Sequence, residues 1–146
     1  MKYFSKQVRN QYGEFDSETE FNRYLYLKHL EDVGEIRDLQ RQVRFEIIPK
    51  LIKNVEVQLK TKVKIVQRVE EKAAHYTCDF TYIEKGGKYI IEEQKSQGTL
   101  LARDYPLRKK LIKQIIHKHN EEVGFEDWMF REILPPPPKR KKKKKQ

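Results

Sequence analysis

Two strand-forming segments separated by a Gly-Gly pair constrain this chain more than any other feature. Residues 75–83 and 89–95 are rich in tyrosine, isoleucine and other β-forming residues, and Gly86-Gly87 lies between them. Glycine adopts the positive φ angles that tight hairpin turns require. The pattern therefore predicts an antiparallel hairpin, and any fold proposed for the chain has to contain it.

Three charged side chains within this hairpin form a candidate catalytic group. Asp79 lies in the first strand, and Glu93 and Lys95 lie in the second. Two carboxylates can hold a divalent cation and an ammonium can stabilise a charged transition state, which is the minimum set for phosphodiester hydrolysis. Asp79 is the most informative of the three, because aspartate is depleted in strands. Glu92 can exchange roles with Glu93, and the sequence leaves that choice open.

The length of the turn decides whether these side chains meet. A two-residue turn at Gly86-Gly87 would set Asp79 opposite Gln94, and Glu93 and Lys95 would then lie on the other face of the sheet. The site requires a one-residue offset, from a bulge or a three-residue loop, that pairs Asp79 with Glu93 or Lys95. With that offset, three residues are expected in the core: Phe80, Tyr82 and Ile90.

Two helices are predicted, one before and one after the hairpin. The first runs from Glu18 to about Val33 and begins with the capping box Ser17-x-x-Glu20. The second is expected to begin with Asp104 as its cap and to end at Gly124. The expected buried residues are Phe21, Tyr24, Leu25, Leu27 and Leu30 in the first helix, and Leu107, Leu111, Ile112, Ile115 and Ile116 in the second.

Three other segments predict strands. Residues 36–48 indicate a short connection followed by a strand, and residues 125–133 indicate a last short strand. Residues 55–65 alternate between apolar and mostly cationic side chains, which is typical of a half-buried strand or hairpin arm with a cationic outer face. The resulting order of helices and strands predicts an α/β or α+β fold with a mixed sheet flanked by helices.

Length and charge divide the chain into a body and a tail. A chain of 146 residues, 37% hydrophobic and 37% charged, fits one domain with a modest core, which we place at residues 1–134. Residues 135–138 are a polyproline spacer, and residues 139–145 supply +7 of the net charge of +10. We expect residues 135–146 to form an extended spacer and a disordered basic tail, which either aids solubility or contacts a polyanion.

Composition also bears on compartment. The sequence contains a single cysteine, Cys78, which excludes an internal disulfide and favours a reducing cytoplasm. Its position next to Asp79 in a strand suggests a small packed hydrophobic residue. There is no apolar run long enough to span a bilayer and no leader-like segment at the start, so no membrane association is expected.

Several motifs, in a fixed order, resemble a family of short phage and prophage proteins that is catalogued as a domain of unknown function and has the PD-(D/E)XK nuclease fold. The likeness covers roughly residues 12–133, and the alternating segment 55–69 departs from it. The matching segments are Phe15–Glu20, Val33–Ile36, Leu39–Phe45, Cys78–Tyr82, Glu93–Lys95 and the basic helix from Tyr105 to Lys113. The resemblance implies a restriction-endonuclease-like mixed sheet and a protein of the bacterial host cytoplasm.

The resemblance also implies roles for individual residues. Glu20, Asp79 and Glu93 would bind Mg²⁺ or Mn²⁺, for which hard carboxylate oxygens are suitable ligands. Lys95 would orient or help deprotonate the attacking water and offset charge on the phosphate. Without the resemblance, Glu20 is more simply a capping residue and Glu93 a solvated edge charge. The candidate DNA contacts are Gln42, Arg103, Tyr105, Arg108 and Lys109.

The function expected from these residues is metal-dependent hydrolysis of DNA. We expect an endonuclease selective for branched DNA such as Holliday junctions, a choice of substrate that rests on similarity to phage resolvases of the same superfamily. A DNA exonuclease or a nickase is the second enzymatic alternative. A non-catalytic nucleic-acid-binding protein that keeps the nuclease fold is the alternative from another class. The sequence does not decide between a monomer and a homodimer.

Overall fold

A computed structural model describes residues 7–95 and 102–134 as a mixed α+β fold. The sequence-based expectations for the spacer and tail concern residues 135–146, which lie outside the described residues. The elements in chain order are β1 (Val8–Asn10), β2 (Gly13–Phe15), α1 (Glu18–Asp32), β3 (Ile36–Ile48), β4 (Leu51–Gln58), β5 (Val63–Glu71), β6 (Ala74–Glu84), β7 (Tyr89–Gln94), α2 (Tyr105–Val123) and β8 (Trp128–Ile133).

Four strands form the main sheet in the order β3-β6-β7-β8. β3 with β6 and β6 with β7 are antiparallel, whereas β7 and β8 are parallel and are connected through α2. The predicted mixed sheet is therefore confirmed. β1 pairs with β2, and β4 pairs with β5, in two separate two-stranded sheets.

The two helices cover opposite faces of the main sheet. Ile90 belongs to an apolar cluster that contains Leu27 of α1, and Ile91 belongs to a second cluster that contains Ile112 and Ile116 of α2. Consecutive residues of a strand point to opposite faces, so the clusters lie on the two sides of β7. Because both faces are covered, β7 is apolar at consecutive positions instead of alternating.

The helix ends agree with the sequence signals, with one exception. Ser17 Oγ accepts a hydrogen bond from the Glu20 backbone N–H, 3.1 Å, and α1 begins at Glu18 as predicted. Gly124, with φ of 85°, ends α2 as predicted. Asp104 precedes α2 but makes no side-chain capping bond, because its carboxylate accepts from Arg108 Nε at 2.9 Å. The prediction of a side-chain cap at Asp104 is wrong.

Two residues expected to be buried are exposed. Leu25 of α1 is 39% exposed and Leu107 of α2 is 60% exposed. Each lies outside the row of helix residues that contacts the sheet. This row is narrower than the apolar composition of the helices indicates. Leucines on the solvent side of a helix are common in folded proteins and create no packing defect.

The structure also differs from two of the strand predictions. The expected connection before the strand in residues 36–48 is itself part of β3, with a register shift between Arg37 and Gln40. The alternating segment is confirmed as a hairpin, but within residues 55–65 only Val55 and Val57 are half-buried, since β4 and β5 pair only with each other. Ile65 remains 67% exposed for that reason. We refer to this hairpin and its flanks, residues 50–72, as the arm.

The β6–β7 hairpin has the one-residue offset that the candidate site requires. The Glu84 N–H donates to the Lys88 carbonyl at 2.9 Å, which leaves a three-residue loop of Lys85, Gly86 and Gly87. Phe80 pairs with Glu92, so the register continued by one residue places Asp79 opposite Glu93. Phe80, Tyr82 and Ile90 lie together in the core on the α1 side, as predicted.

Candidate functional site

Asp79 lies where β6 changes the face to which its side chains point. Cys78 contacts the α2 cluster, whereas Phe80 contacts the α1 cluster, although alternation would put both on one face. On β3 the same change occurs between Arg41, whose guanidinium lies over the Phe15 ring, and Val43, which packs on the α2 side. Cys78 and Phe80 therefore lie on opposite faces of the sheet.

On β3, Gln42 lies between Arg41 and Val43, which point to opposite faces of the sheet. Its φ of 52° is in the left-handed region, which is unusual for a residue other than glycine. The regular pairing of β3 with β6 skips Gln42 and Asp79 and resumes on either side of them. This local irregularity brings Asp79 and Gln42 to the junction of the two packed faces.

Asp79 is held by a single backbone hydrogen bond within residues 7–95 and 102–134. The Gln94 N–H donates to Asp79 Oδ2 at 2.8 Å. Burial, followed by the negative charges of Glu93 and Glu20, raises the pKa of the Asp79 carboxyl to about 8, although the Gln94 N–H and Lys95 oppose the rise. The fold therefore concentrates three carboxyl groups closely enough to affect one another.

Glu93 is the acid that faces Asp79, and both of its oxygens have partners. Tyr76 Oη donates to Glu93 Oε2 at 2.5 Å, and Lys95 Nζ lies 3.0 Å from Glu93 Oε1. Burial raises the pKa of the Tyr76 hydroxyl, and the nearby negative charge of Glu93 raises it further. Tyr76 thus remains a neutral hydrogen-bond donor that orients the Glu93 carboxylate.

The choice between Glu92 and Glu93 is resolved by their partners. Glu92 is fully buried on the other face, where Arg23 donates to both of its oxygens, at 2.7 and 2.9 Å. Tyr82 Oη also donates to Glu92 at 2.7 Å. Glu92 is therefore committed to a structural ion pair, and Glu93 is the acid available to the site.

Lys95 lies in a pocket built by α2 and β8. Its ammonium is 3.4 Å from the centre of the Tyr105 ring, in a cation–π interaction. Tyr105 Oη donates to Glu132, and Lys109 Nζ lies 2.9 Å from the same carboxylate. Burial raises the pKa of Tyr105, as does its hydrogen bond to Glu132, so its hydroxyl also remains a neutral donor. This chain of interactions fixes Lys95 next to Glu93.

Glu20 reaches the site from α1. It is 4% exposed, and Gln42 Nε2 donates to Glu20 Oε1 at 2.9 Å. Burial raises the pKa of Glu20, although the hydrogen bond from Gln42 and the positive charge of Arg41 oppose the rise. Arg41, 3.9 Å from the same oxygen, leaves its Nε without a hydrogen-bond partner among the described residues. A buried carboxylate held in this way costs free energy unless a counter-charge compensates it.

The donor chemistry of these acids suits a hard divalent cation. Glu20, Asp79 and Glu93 supply only carboxylate oxygens, and burial is the main cause that raises the pKa values of Glu20 and Asp79, so a bound cation would favour their charged forms. Within the described residues, no three His, Cys, Asp or Glu side chains are already arranged around one point as a metal-binding cluster. The acids therefore fit a metal by residue type and electrostatics, and side-chain rotation would be needed to bring their oxygens to one ion.

The predicted DNA-contacting residues differ in their availability. Arg103 is exposed at the start of α2. Arg108 donates to Asp104 and to the His75 carbonyl, and Lys109 pairs with Glu132. Tyr105 is 8% exposed and Gln42 holds Glu20. These interactions give Gln42, Tyr105 and Lys109 positions that support the acids and Lys95, and their roles in DNA binding stay predictions.

Several residues of the site could not be found from the sequence. Tyr76 lies in a strand-forming segment, and its hydrogen bond to Glu93 depends on the change of face at Asp79. Glu132 meets Tyr105 only because β8 is parallel to β7 and adjacent to it. Neither residue has a sequence signal of its own, since both interactions arise from tertiary packing.

The chain matches, over residues 1–131, a protein family described as "Protein of unknown function (DUF1064)". It belongs to this family. The DUF1064 match includes Glu20, Asp79, Glu93 and Lys95 and stops just before Glu132. The predicted membership of a domain family of unknown function is confirmed, and the nuclease fold and phage origin stay predictions.

Comparisons with curated proteins and with solved structures return no match for this chain. Neither helix in the described part of the chain is both long and apolar enough to cross a membrane.

Proposed function

We propose that the chain is a phage or prophage DNA endonuclease of the PD-(D/E)XK type that requires Mg²⁺ or Mn²⁺ and acts on branched DNA. One observation carries the proposal. The offset register of β6 and β7 puts Asp79 opposite Glu93, and Lys95 Nζ lies 3.0 Å from Glu93. Two acids and a lysine on one face of a hairpin are the residue set that metal-assisted phosphodiester hydrolysis needs.

Each residue has a chemical task in this proposal. Asp79, Glu93 and Glu20 would hold a divalent cation, which would supply Lewis-acid stabilisation of the phosphate oxygens and activation of water. Tyr76 keeps the Glu93 carboxylate oriented through its 2.5 Å hydrogen bond. Gln42 does the same for Glu20 at 2.9 Å. Such supporting hydrogen bonds fix the direction in which ligand oxygens point.

Lys95 would act on the attacking water and on the phosphate. Its side chain is 7% exposed, and its ammonium is fixed between the Glu93 carboxylate and the face of the Tyr105 ring. A cation held in place before reaction stabilises developing negative charge without reorganisation. A cation held by Asp79, Glu93 and Glu20 would share the Glu93 negative charge with Lys95, and the Lys95 ammonium would then be available to the phosphate.

A cleavage panel tests the proposal. The full chain is incubated with Mg²⁺ and supercoiled plasmid, linear duplex, flapped DNA and a four-way junction of the same sequence. We expect incisions within the four-way junction at a higher rate than in the linear duplex. Shortening from the ends indicates an exonuclease, and relaxation of plasmid without linearisation indicates a nickase. No Mg²⁺-dependent cleavage of any substrate contradicts the proposal.

One observation favours a non-catalytic nucleic-acid-binding protein instead. Lys95 already neutralises Glu93, so the pair can be read as a buried structural ion pair with no need for a metal. Calorimetric titration with Mn²⁺ separates the alternatives. A metal site gives binding that Asp79→Asn removes, whereas a structural pair gives no binding in either protein.

A further inference from the structure

The positive charge of the chain is concentrated in two segments. Residues 139–145 carry +7, and the arm, residues 50–72, contains seven lysine or arginine residues against three glutamates, which is +4. The total is +10, so the rest of the chain has a net charge of −1. The helix segment Tyr105–Lys113 also carries +4, but its Arg108 and Lys109 are paired with Asp104 and Glu132. Within the described structure, the positive charge of the arm is therefore the more available to a polyanion.

The pairing of β4 with β5 separates the arm into two faces. Lys53 pairs with Arg68 and Val57 pairs with Lys64, so these three cations lie on one face, which we call the basic face. All three are exposed. Lys60 and Lys62 extend the positive charge at the tip, where the Leu59 N–H closes the turn on the Lys62 carbonyl at 2.8 Å. Among the glutamates of the arm, Glu56 lies on the other face, opposite Ile65, and Glu71 pairs with Leu51 at the base of the arm.

We infer that the arm is a two-stranded ribbon that binds duplex DNA through its basic face. The major groove of B-DNA admits a two-stranded β-ribbon, and lysine and arginine side chains beside it reach the phosphates. The eight residues of β4 span about 26 Å at the usual strand rise of about 3.3 Å per residue, which is most of one helical turn of about 34 Å. The ribbon thus has the width, length and charge that a groove requires.

The arm is connected along the chain to the strands that contain residues of the candidate site. The arm is the connection between β3, which contains Gln42, and β6, which contains Asp79. β6 begins at Ala74, five residues before Asp79, so a duplex bound by the arm is joined to the site through a short paired strand. A role in presenting DNA for cleavage rests on the proposed function, whereas DNA binding by the arm does not.

The other face of the arm offers a competing occupant. Ile52 pairs with Val69, and Val63 and Ile65 lie on the same face, all four exposed. An apolar row of this kind could also meet a second copy of the chain. We favour DNA, because four surplus cations on each of two arms would repel one another at such an interface, whereas phosphates would neutralise them.

Three variants of the full chain test the inference by charge. Lys53→Gln, Lys64→Gln and Arg68→Gln are combined in the first. The second, a control with the same charge change, combines Arg37→Gln, Lys85→Gln and Lys118→Gln, which are exposed positions outside the arm. The third keeps charge in the arm: Lys53→Arg, Lys64→Arg and Arg68→Lys. Binding to a fluorescent duplex of about 30 bp, roughly three helical turns, is measured by anisotropy in EDTA over a series of salt concentrations.

The expected result is a loss of affinity confined to the first variant. Its Kd rises roughly tenfold or more at physiological salt, and the slope of log K against log salt falls by about 2.7, which is about 0.9 for each phosphate that is no longer neutralised. The control and the charge-retaining variant bind as the unmodified chain does. Equal losses of affinity in the first variant and the control, or no loss in the first, would overturn the inference.

Two further measurements separate this inference from its rivals. Sedimentation velocity of all variants reports the number of copies, and a dimer that dissociates only in the first variant would make the arm an interface between copies and overturn DNA binding by it. Plasmid cleavage with Mg²⁺ is measured in parallel. Arm-dependent binding without cleavage would sustain the inference and contradict the proposed function, and cleavage with arm-independent binding would do the reverse.

Discussion

The two longer hairpins of this chain have the same topology and opposite environments. The β6–β7 hairpin is covered on both faces and buries Phe80, Ile90 and Ile91 completely. The β4–β5 hairpin pairs only with itself and leaves Val63 and Ile65 more than half exposed. Both are built from strand-forming residues, although β6 and β7 are rich in aromatic residues and β4 and β5 in valine and isoleucine. Burial, and not strand propensity, therefore distinguishes a structural hairpin from one that is available to a partner.

Burial also changes what a charge does in each hairpin. Around β7, Glu93 and Lys95 lie 3.0 Å apart in a region where water screens poorly, so the attraction between them is strong. In the arm, Lys53 and Arg68 are exposed, and salt screens them over about 8–10 Å. Charges of the first kind can act on a reacting group, and charges of the second kind can attract and position a polyanion.

The largest effect is expected on cleavage when a charge of the buried hairpin is removed. Asp79→Ala, Glu93→Ala and Lys95→Ala should each reduce the cleavage rate at saturating DNA at least about 10³-fold, near the upper end for loss of one electrostatic stabiliser. The arm variant with Lys53, Lys64 and Arg68 changed to Gln should raise the Kd for DNA and leave the saturated rate within about threefold. Single-turnover assays measure both. Full activity in any of the three alanine variants contradicts the assignment.

The second effect compares the same substitution in the two hairpins. Ile91→Ala, at a site with no exposed surface, should lower the free energy of unfolding by about 3 kcal/mol, because a cavity remains among Tyr76, Cys78 and Ile112. Ile65→Ala, at a site 67% exposed, should change it by less than about 0.5 kcal/mol. Urea denaturation at fixed pH measures both. A cost above about 2 kcal/mol for Ile65→Ala would show that the arm is packed against something in solution.

Local sequence signals predicted most of the framework. The capping box at Ser17, the glycine at the end of α2 and the glycine pair of the β6–β7 loop each depend on a few neighbouring residues. The offset that places Asp79 opposite Glu93 could be stated as a requirement, because side chains on a strand alternate with a period of two. These features depend on backbone geometry that neighbouring residues largely determine.

The remaining features depend on interactions between residues distant in sequence. The change of face at Asp79 breaks the alternation used to predict it, and its counterpart is Gln42, a left-handed residue on another strand. Alternation in residues 55–65 predicted two faces for the arm but carried no information on whether anything covers them. Glu92 and Glu93 are both glutamates, and partners such as Arg23, which is 69 positions away from Glu92, distinguish them.

A third prediction uses glutamines of the two regions. Gln42→Asn keeps a residue type that tolerates positive φ, but its side chain is one methylene too short to reach Glu20. We expect the Mg²⁺ concentration for half-maximal cleavage to rise about tenfold, as is usual when the hydrogen bond that orients a metal ligand is removed. Gln67→Asn, at an exposed site of the arm, is the matched control and should leave the Mg²⁺ concentration for half-maximal cleavage unchanged. Equal metal requirements in all three proteins would remove Gln42 from the site.

The smallest effect concerns pH and the free energy of unfolding in the absence of metal. Burial and two neighbouring acids raise the pKa of Asp79 from its ordinary value of 3.8 to about 8. The native state therefore binds the Asp79 proton more tightly than the unfolded state does. The contribution of this proton to the free energy of unfolding is fully present below about pH 4 and is lost as pH rises through about 8.

Replacement of Asp79 by asparagine should flatten this dependence. In EDTA, the unmodified chain should lose at least about 1 kcal/mol between about pH 5 and pH 8 through this group, because one pKa unit corresponds to about 1.4 kcal/mol. Asp79→Asn should be the more stable protein near the raised pKa and nearly equal at acidic pH. Glu56→Gln, an exposed carboxylate of the arm, should follow the unmodified chain throughout. Urea denaturation across this pH range measures the difference, and parallel curves for all three proteins would contradict a free-energy cost for the ionised Asp79 carboxylate.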